Sequence, residues 1–389
     1  ARPTLPREER EGSRPWRARD EDRRAFPPRA RERGDEAGPP RRGAAVRRDE
    51  VRRSEAPPLA EQPPELGVLY GEPYAPFVGP IIADLTRAVE DLGYQIRRVA
   101  AETIEQHRAA CARIDRLYVL PFDLPTGHDD ARSFVRAFFP RAEVINPVDV
   151  HDLCWDKLRA NQRLLTRGVP VPETLFTESP DEVREFVAEH RFAILKERQA
   201  CGGQGHVVLC DSSDVALGEA GRRRFVVEMG GEPGEPRRLR EGVLSYPPPY
   251  FVQRLVGDAG ARGVFTPGRV LRAYVVDQRI AFWTERYRDR YQRPADWIVN
   301  VALGAKVRFV LETSEELRKL ALRAADVLGM RVGAIDIVRA AGGAFVLEGD
   351  TDGRHMYIDR GFKLVPEFRG AFDLDRLIAA LLANEEIPA

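Results

Sequence analysis

The sequence predicts an α/β protein whose folded part sits behind a long N-terminal extension. Three observations predict it. Residues 1–64 are dominated by Arg, Glu, Asp and Pro, with Trp16 and Phe26 as their only aromatics. From Leu66 to about residue 147, short apolar runs alternate with stretches of helical periodicity. Beyond residue 250 the chain turns strand-rich, with glycines marking its turns.

Residues 1–64 cannot bury enough apolar surface to offset the entropy of ordering, so they are expected to be a disordered extension. A partner-binding or nucleic-acid-binding arm is the alternative, as is an extension without function. The run Leu66-Gly-Val-Leu-Tyr70 reads as a buried strand. A helix follows from Gly79 to Leu92, apolar at Ile81, Ile82, Leu85 and Val89 and stopped by Gly93. Strands at Gln95–Val99 and Arg116–Pro121 complete a small parallel domain over residues 65–147. No Gly-x-Gly-x-x-Gly follows its first strand, so it need not bind a dinucleotide.

A central unit is expected over residues 148–256. It holds a helix from about Val150 to Thr166 and a second, Asp181–Glu189, behind the cap Ser179-Pro180. Strands Arg191–Lys196 and His206–Leu209 flank a glycine loop, and Tyr250–Val256 is a further strand. The last unit, residues 257–389, has a strand-rich stretch from Val270 to Thr284 and an amphipathic helix, Glu315–Leu328, ended by Gly329. Two strands, Gly333–Arg339 and Ala344–Glu348, then surround the turn Ala341-Gly342-Gly343, and a closing helix starts at Leu374.

Composition narrows the functional classes. Net charge is near zero, so no global field draws the chain to nucleic acid. No apolar run approaches the ~18 residues of a transmembrane helix. Four cysteines without Cys-x-x-Cys spacing suit a reducing cytoplasm, and six scattered histidines do not suggest a zinc site.

Only five of the 61 basic residues are lysines. A lysine that survives this bias is a candidate for a place where a compact ammonium works and a planar guanidinium does not, such as a phosphate site. Lys157 and Lys196 are two of the five, and Lys196 stands just before the loop Gly202-Gly203-Gln204-Gly205. That loop joins two strands, which excludes a P-loop leading into a helix. A glycine hairpin can instead lie over a triphosphate, its backbone N–H groups reaching oxygen directly. The late hairpin carries the second signal. Asp336 is embedded in an apolar strand, and Glu348 and Asp350, two residues apart, share a face of the next. Three converging carboxylates repel one another unless a cation compensates, and magnesium fits best.

Together these pieces resemble the ATP-grasp superfamily, above all the ribosomal-protein glutamate ligases, bacterial-type glutathione synthetases and D-alanine–D-alanine ligases. The resemblance covers roughly residues 66–384. It implies that Lys157, Lys196 and the flap Gly202, Gly203, Gln204 and Gly205 hold the phosphates of ATP. The strand carrying Gln253 and Leu255 resembles the segment whose backbone holds adenine, although relatives usually carry Glu near position 253. Arg272 and Arg286 resemble the arginines facing the transferred phosphoryl group, with Asn300 on a strand beside them. Asp336, Glu348 and Asp350 match the metal-ligand pattern, whose last member is commonly Asn. Where relatives have a Pro- or Ser-Pro-Gly-type loop, this chain reads Thr351-Asp-Gly-Arg354-His355-Met-Tyr357, which makes Arg354 and His355 candidates for the acceptor substrate. His206 and Cys201, beside the flap, read as incidental.

The resemblance implies an ATP-dependent carboxylate–amine or carboxylate–thiol ligase acting through an acyl phosphate. Two magnesium ions, with manganese as an alternative, would accompany ATP. Its partners would be small-molecule or peptide carboxylates and amines, with no membrane or nucleic acid, and self-association is left open. A small-molecule kinase on the same fold and a non-catalytic ATP-binding regulator are the rival readings.

Overall fold

A computed structural model describes residues 64–385 apart from 121, 123, 129, 200–205, 211–224, 230–247, 260–264, 292–293, 302–303 and 352–373. The expected disordered extension therefore lies outside the described residues. The described chain opens with β1 (Leu66–Tyr70), α1 (Ala75–Asp91), β2 (Ile96–Ala100), a short α2 (Arg108–Cys111), β3 (Arg116–Val119), α3 (Ala131–Phe138) and β4 (Glu143–Ile145). The strands form a parallel sheet in the order β2-β1-β3-β4. Helix α1 begins earlier than its apolar periodicity suggests, with one proline in its first turn, where it is tolerated, and Pro80 inside the helix. Asp130 caps α3 by accepting the Ser133 N–H at 2.8 Å.

The helix expected from Val150 is two helices, α4 (Val148–Trp155) and α5 (Lys157–Thr166). Asp156 separates them. Its backbone is extended, and its buried carboxylate caps α5 by accepting the Arg159 N–H at 3.1 Å. The chain continues through β5 (Thr174–Thr177), α6 (Pro180–His190), β6 (Phe192–Lys196), β7 (His206–Cys210), β8 (Phe225–Met229) and β9 (Tyr250–Arg254). These strands form an antiparallel sheet ordered β5-β9-β6-β7-β8. Alternation divides its faces. Ala193, Leu195, Val207, Leu209 and Val252 pack with Val183 and Val187 of α6. Ile194, Lys196, His206 and Gln253 line a cleft on the other side.

After the small hairpin β10 (Gly257–Ala259) and β11 (Phe265–Pro267) comes a second antiparallel sheet, ordered β14-β13-β12-β15-β16. It comprises β12 (Arg269–Val276), β13 (Arg279–Tyr287), β14 (Lys306–Val310), β15 (Val332–Ala340) and β16 (Gly343–Asp350), with α7 (Glu315–Leu328) before β15. The stretch read as strand-rich is thus a hairpin, turned at Asp277 and Gln278, both with positive φ. Ser314 caps α7, and left-handed Gly329 ends it. On one face of this sheet, Leu271, Ala273, Val275, Trp283, Ile335, Ile337 and Val346 pack against α7, α4 and α5. The other face changes character along its length. Tyr274, Val276, Phe282, Val332 and Ala334 meet α1 and α8 (Leu374–Ala383) in an apolar core, whereas Arg272, Arg286 and Asp336 form a polar half beside it.

Asn146 ties the parallel layer to this sheet. It is fully buried and left-handed, with φ 52°. Its Oδ1 accepts the N–H groups of Arg331 at 2.9 Å and Val332 at 3.0 Å, while its Nδ2 donates to the Val332 carbonyl. Among the described residues, no helix is long and apolar enough to cross a membrane. Asn146→Ala leaves three backbone groups without these bonds and keeps a Cβ in the left-handed region, which costs about 3 kcal/mol in unfolding free energy. Asn146→Gly is expected to cost about 1 kcal/mol less, since glycine carries no left-handed penalty. Urea unfolding followed by tryptophan fluorescence orders the two variants; a smaller loss in the alanine variant contradicts this account.

Candidate functional site

The cleft lies between the inner face of β6, β7 and β9 and the polar half of the second sheet. Lys196, Gln253, Leu255, Arg286, Asn300, Asp336 and Glu348 all border it. These residues are spread over more than 150 positions of sequence, and the two sheets bring them together. Lys157 reaches the same place from the first turn of α5, its Nζ 3.9 Å from Glu348 Oε2. The start of α5 is itself anchored, since Arg198 Nη2 donates to Asp156 at 2.5 Å and the Lys157 N–H bonds the Arg198 carbonyl at 2.9 Å. The flap residues Gly202, Gly203, Gln204 and Gly205 and the acceptor-loop candidates Arg354 and His355 lie outside the described residues.

Strand register explains the acidic cluster. Asp336 stands opposite Glu348, and Ala334 opposite Asp350, across the β15–β16 pair. The ladder slips just beyond Asp336, where Ile337 pairs with Val346 and Leu347 is the extra residue. Arg272 is the partner of Asp336 on the other side, in β12. All four side chains therefore share one face. Arg272 forks onto Asp336, with Nε–Oδ1 at 2.6 Å and Nη2–Oδ2 at 2.9 Å, and its Nη2 also reaches Asp350 Oδ2 at 3.1 Å. Arg286 Nη1 adds a bond to Asp336 Oδ2 at 3.1 Å.

This arrangement revises the argument from burial to metal. The cation compensating Asp336 is Arg272, aided by Arg286, because an arginine fork satisfies a buried carboxylate at both oxygens. Among the described residues, no group of three or more His, Cys, Asp or Glu side chains has the geometry to hold a metal ion. Asp336 and Glu348 nonetheless present hard oxygen donors to one cleft. Such a pair suits magnesium, which takes few carboxylates and completes its shell with phosphate and water. The residues fit that role, with Asp350 held one register pair away by Arg272.

Electrostatics follow from the same contacts. Burial alone would raise the Asp336 pKa, but Arg272 and Arg286 outweigh it and hold the carboxyl well below its usual range. Lys196 is pushed down to about 8, by burial first, with nearby Lys157 adding to the shift and Glu348 and Asp336 opposing it. Its Nζ donates to Gln253 Oε1 at 2.7 Å, and Gln253 Nε2 donates onward to Thr174 Oγ1 at 3.3 Å. The Gln253 side chain thus positions the lysine. The Leu255 N–H is bonded to the Phe192 carbonyl at 3.0 Å, so any contact of Leu255 with a base must use another group.

Some cleft residues escaped the sequence reading. Trp297 and Ile298 form an apolar wall. Trp297 packs edge-on to Phe192 at 5.2 Å and beside Phe265 at 4.8 Å. A lone tryptophan at the end of a one-turn 3-10 helix carries no periodicity, so no local signal marks it. His206, read as incidental, also lines the cleft. Its signal was available, because Lys196 closes the strand read before the glycine loop and His206 opens the strand read after it.

No protein-family model matches the chain. It is 31% identical over 196 residues to a probable alpha-L-glutamate ligase of Stutzerimonas stutzeri, covering 50% of this chain and 54% of that protein. A probable alpha-L-glutamate ligase of Xanthomonas oryzae pv. oryzae is 27% identical over 203 residues, covering 52% and 58%. The chain spans little more than half the length of these curated relatives. Among solved structures, the ATP-grasp ligase PsnB in complex with a minimal precursor superposes with a TM-score of 0.52 at 19% identity, over 83% of this chain and 99% of PsnB. A Chryseobacterium gregarium RiPP-associated ATP-grasp ligase, solved with ADP and a leader and core peptide, gives a TM-score of 0.53 at 15% identity, over 84% and 100%. The protein has the ATP-grasp fold, carried by a sequence similar to that of the glutamate ligases.

Proposed function

We propose that this protein is an ATP-dependent ligase that joins a carboxylate to an amine through an acyl phosphate. The observation that carries the reading is the meeting of Lys196, Arg286, Asp336 and Glu348 in one cleft, with Lys157 beside Glu348. Four cations, Lys157, Lys196, Arg272 and Arg286, face three carboxylates, Asp336, Glu348 and Asp350. The surplus of one positive charge attracts a polyphosphate but does not neutralise it. A divalent cation arriving with the nucleotide completes the balance, and Asp336 and Glu348 are the residues that would hold it. Two magnesium ions are proposed, with manganese as a substitute. The metal would supply charge neutralisation between phosphate oxygens.

Lys157 and Lys196 are assigned to the phosphates, and the apolar wall of Trp297, Ile298 and Ile194 to the base. Arg286, at the rim of the arginine–carboxylate cluster, is placed to stabilise charge on the phosphoryl group as it moves. A carboxylate oxygen of the donor attacks the terminal phosphorus and ADP leaves. The amine then attacks the activated carbonyl, phosphate departs, and the nitrogen gives up a proton. Asn300 borders the same cleft and is proposed to orient the reacting groups. PsnB and the Chryseobacterium ligase are described with precursor, leader or core peptides. Peptide carboxylates and amines are therefore the first substrates to test, ahead of free amino acids and thiols. The cytoplasm is the proposed compartment, in keeping with four cysteines in 389 residues.

The deciding experiment is ADP release by the full chain with pooled peptides, amino acids and small carboxylic acids. Lys196→Ala and Glu348→Gln are each expected to lower turnover by about 100-fold or more. Near-normal turnover in both variants would remove the ligase reading, and a phosphorylated hydroxyl product without amine dependence would replace it with a kinase. Arg272→Ala is a poor probe of chemistry. It strands Asp336 without its principal partner inside the protein and is expected to destabilise the fold by about 3–5 kcal/mol, seen as a lowered urea midpoint. The pH dependence of binding has a definite sign. A phosphate beside Lys196 favours its charged form, so the complex holds a proton that the free protein has lost above pH about 8. Affinity for a non-hydrolysable ATP analogue should fall as pH rises through that value, and Lys196→Arg should flatten this limb of the profile.

A further inference from the structure

His206 occupies a position that the assigned roles leave unused. Leu195 pairs with Val207 across the β6–β7 hairpin. Continuing that register sets His206 beside Lys196 on the cleft face, which also carries Ile194 and Gln253. The neighbours differ in one respect. Lys196 donates to Gln253 and Gln253 donates to Thr174, which closes that chain of bonds on the side away from His206. Among the described residues, the Nε2 atom of His206 is buried with no hydrogen-bond partner. A buried, unpaired ring nitrogen costs free energy, and so calls for an explanation in a cleft built to take a ligand. Protonation does not relieve it. Burial first, then the charges of Lys196 and Lys157, hold the imidazole well below its usual pKa, so it stays neutral.

We propose that His206 is a nucleotide-binding residue whose Nε2 hydrogen-bonds an oxygen of the bound nucleoside triphosphate, next to the phosphate contact of Lys196. The inference rests on the ATP reading of the cleft. A neutral imidazole can hydrogen-bond there without adding a third positive charge to Lys157 and Lys196, which a lysine or arginine would do. It also ties the strand that follows the flap directly to the ligand. The shared chemistry is an oxygen acceptor or hydroxyl, supplied by either a phosphate or the ribose.

The test is calorimetric binding of a non-hydrolysable ATP analogue with magnesium to the full-length protein, His206→Leu and His206→Gln, beside thermal unfolding without ligand. His206→Leu is expected to weaken binding by about tenfold. Its ligand-free melting temperature should equal or exceed that of the parent, because an unpaired buried nitrogen has been replaced by an apolar group. His206→Gln, which returns a polar nitrogen at similar reach, should recover binding to within about threefold of the parent. If His206→Leu does not fold, the glutamine variant and the parent still decide the matter, through a retained affinity or its loss. Inorganic tripolyphosphate as a second ligand separates the two oxygens: a matching loss assigns a phosphate, and a loss confined to the nucleotide assigns the ribose. Parent-like affinity in His206→Leu overturns the assignment while leaving the ATP reading intact. Failure of the parent itself to bind the analogue overturns both.

Discussion

The fork of Arg272 on Asp336 is the interaction on which the rest of the cleft depends. Both residues are buried, and both lie in inner strands of the second antiparallel sheet. Removing either partner leaves a charge with no water to stabilise it, so the pair holds the local geometry firmly. Everything polar nearby takes its place relative to that fork. Arg286 and Asp350 each bond to one of its members, and Glu348 stands opposite Asp336 in the ladder. The same sheet face turns apolar one register step further, at Tyr274 and Ala334, where α1 and α8 close over it. A single β-sheet thereby supplies both a packed core and a charged floor.

The charge pattern also explains why the lysines and arginines of this chain divide their work. Arginine is abundant and takes the buried bidentate role, where a planar fork matches a carboxylate. Lys157 and Lys196, among the few ammonium groups, stand at the cleft, Lys196 bonded to Gln253 and Lys157 beside Glu348. Gln253 contributes in a way its sequence position does not suggest. It buries its amide between Thr174 and Lys196 and aims the lysine.

Much of this was legible before any coordinates. Helix α7 runs from Glu315 to Leu328 as its periodicity and Gly329 predict, and the late hairpin falls where its apolar runs and glycine turn place it. Asp336 and Glu348 were identified from charge set into apolar strands, and Lys196 from the scarcity of lysine and its place before the glycine loop, both local signals. Other features depend on contacts between distant segments and left no local trace. The break at Asp156 arises because that side chain both caps α5 and pairs with Arg198, 42 residues later. Asn146 carries no local signal of its role, yet its amide binds the start of β15 nearly two hundred residues on. The compensation of Asp336 was assigned to metal because the arginines that perform it lie 50 and 64 residues earlier in the chain, and only the sheet register brings them opposite it.

Helix α8 has a consequence for how such a chain reaches its native state. The core that encloses Leu66 and Val68 of the first strand also contains Ile378, Leu381 and Leu382 of the last described helix. More than three hundred residues separate the two sides of that core. The opening layer cannot complete its apolar packing until Ile378, Leu381 and Leu382 have left the ribosome, so its parallel sheet must wait with one flank uncovered. Such long-range closure slows folding and leaves sticky surface open in the interval. Completion of the first layer is therefore governed by a helix more than three hundred residues downstream of the strand it covers.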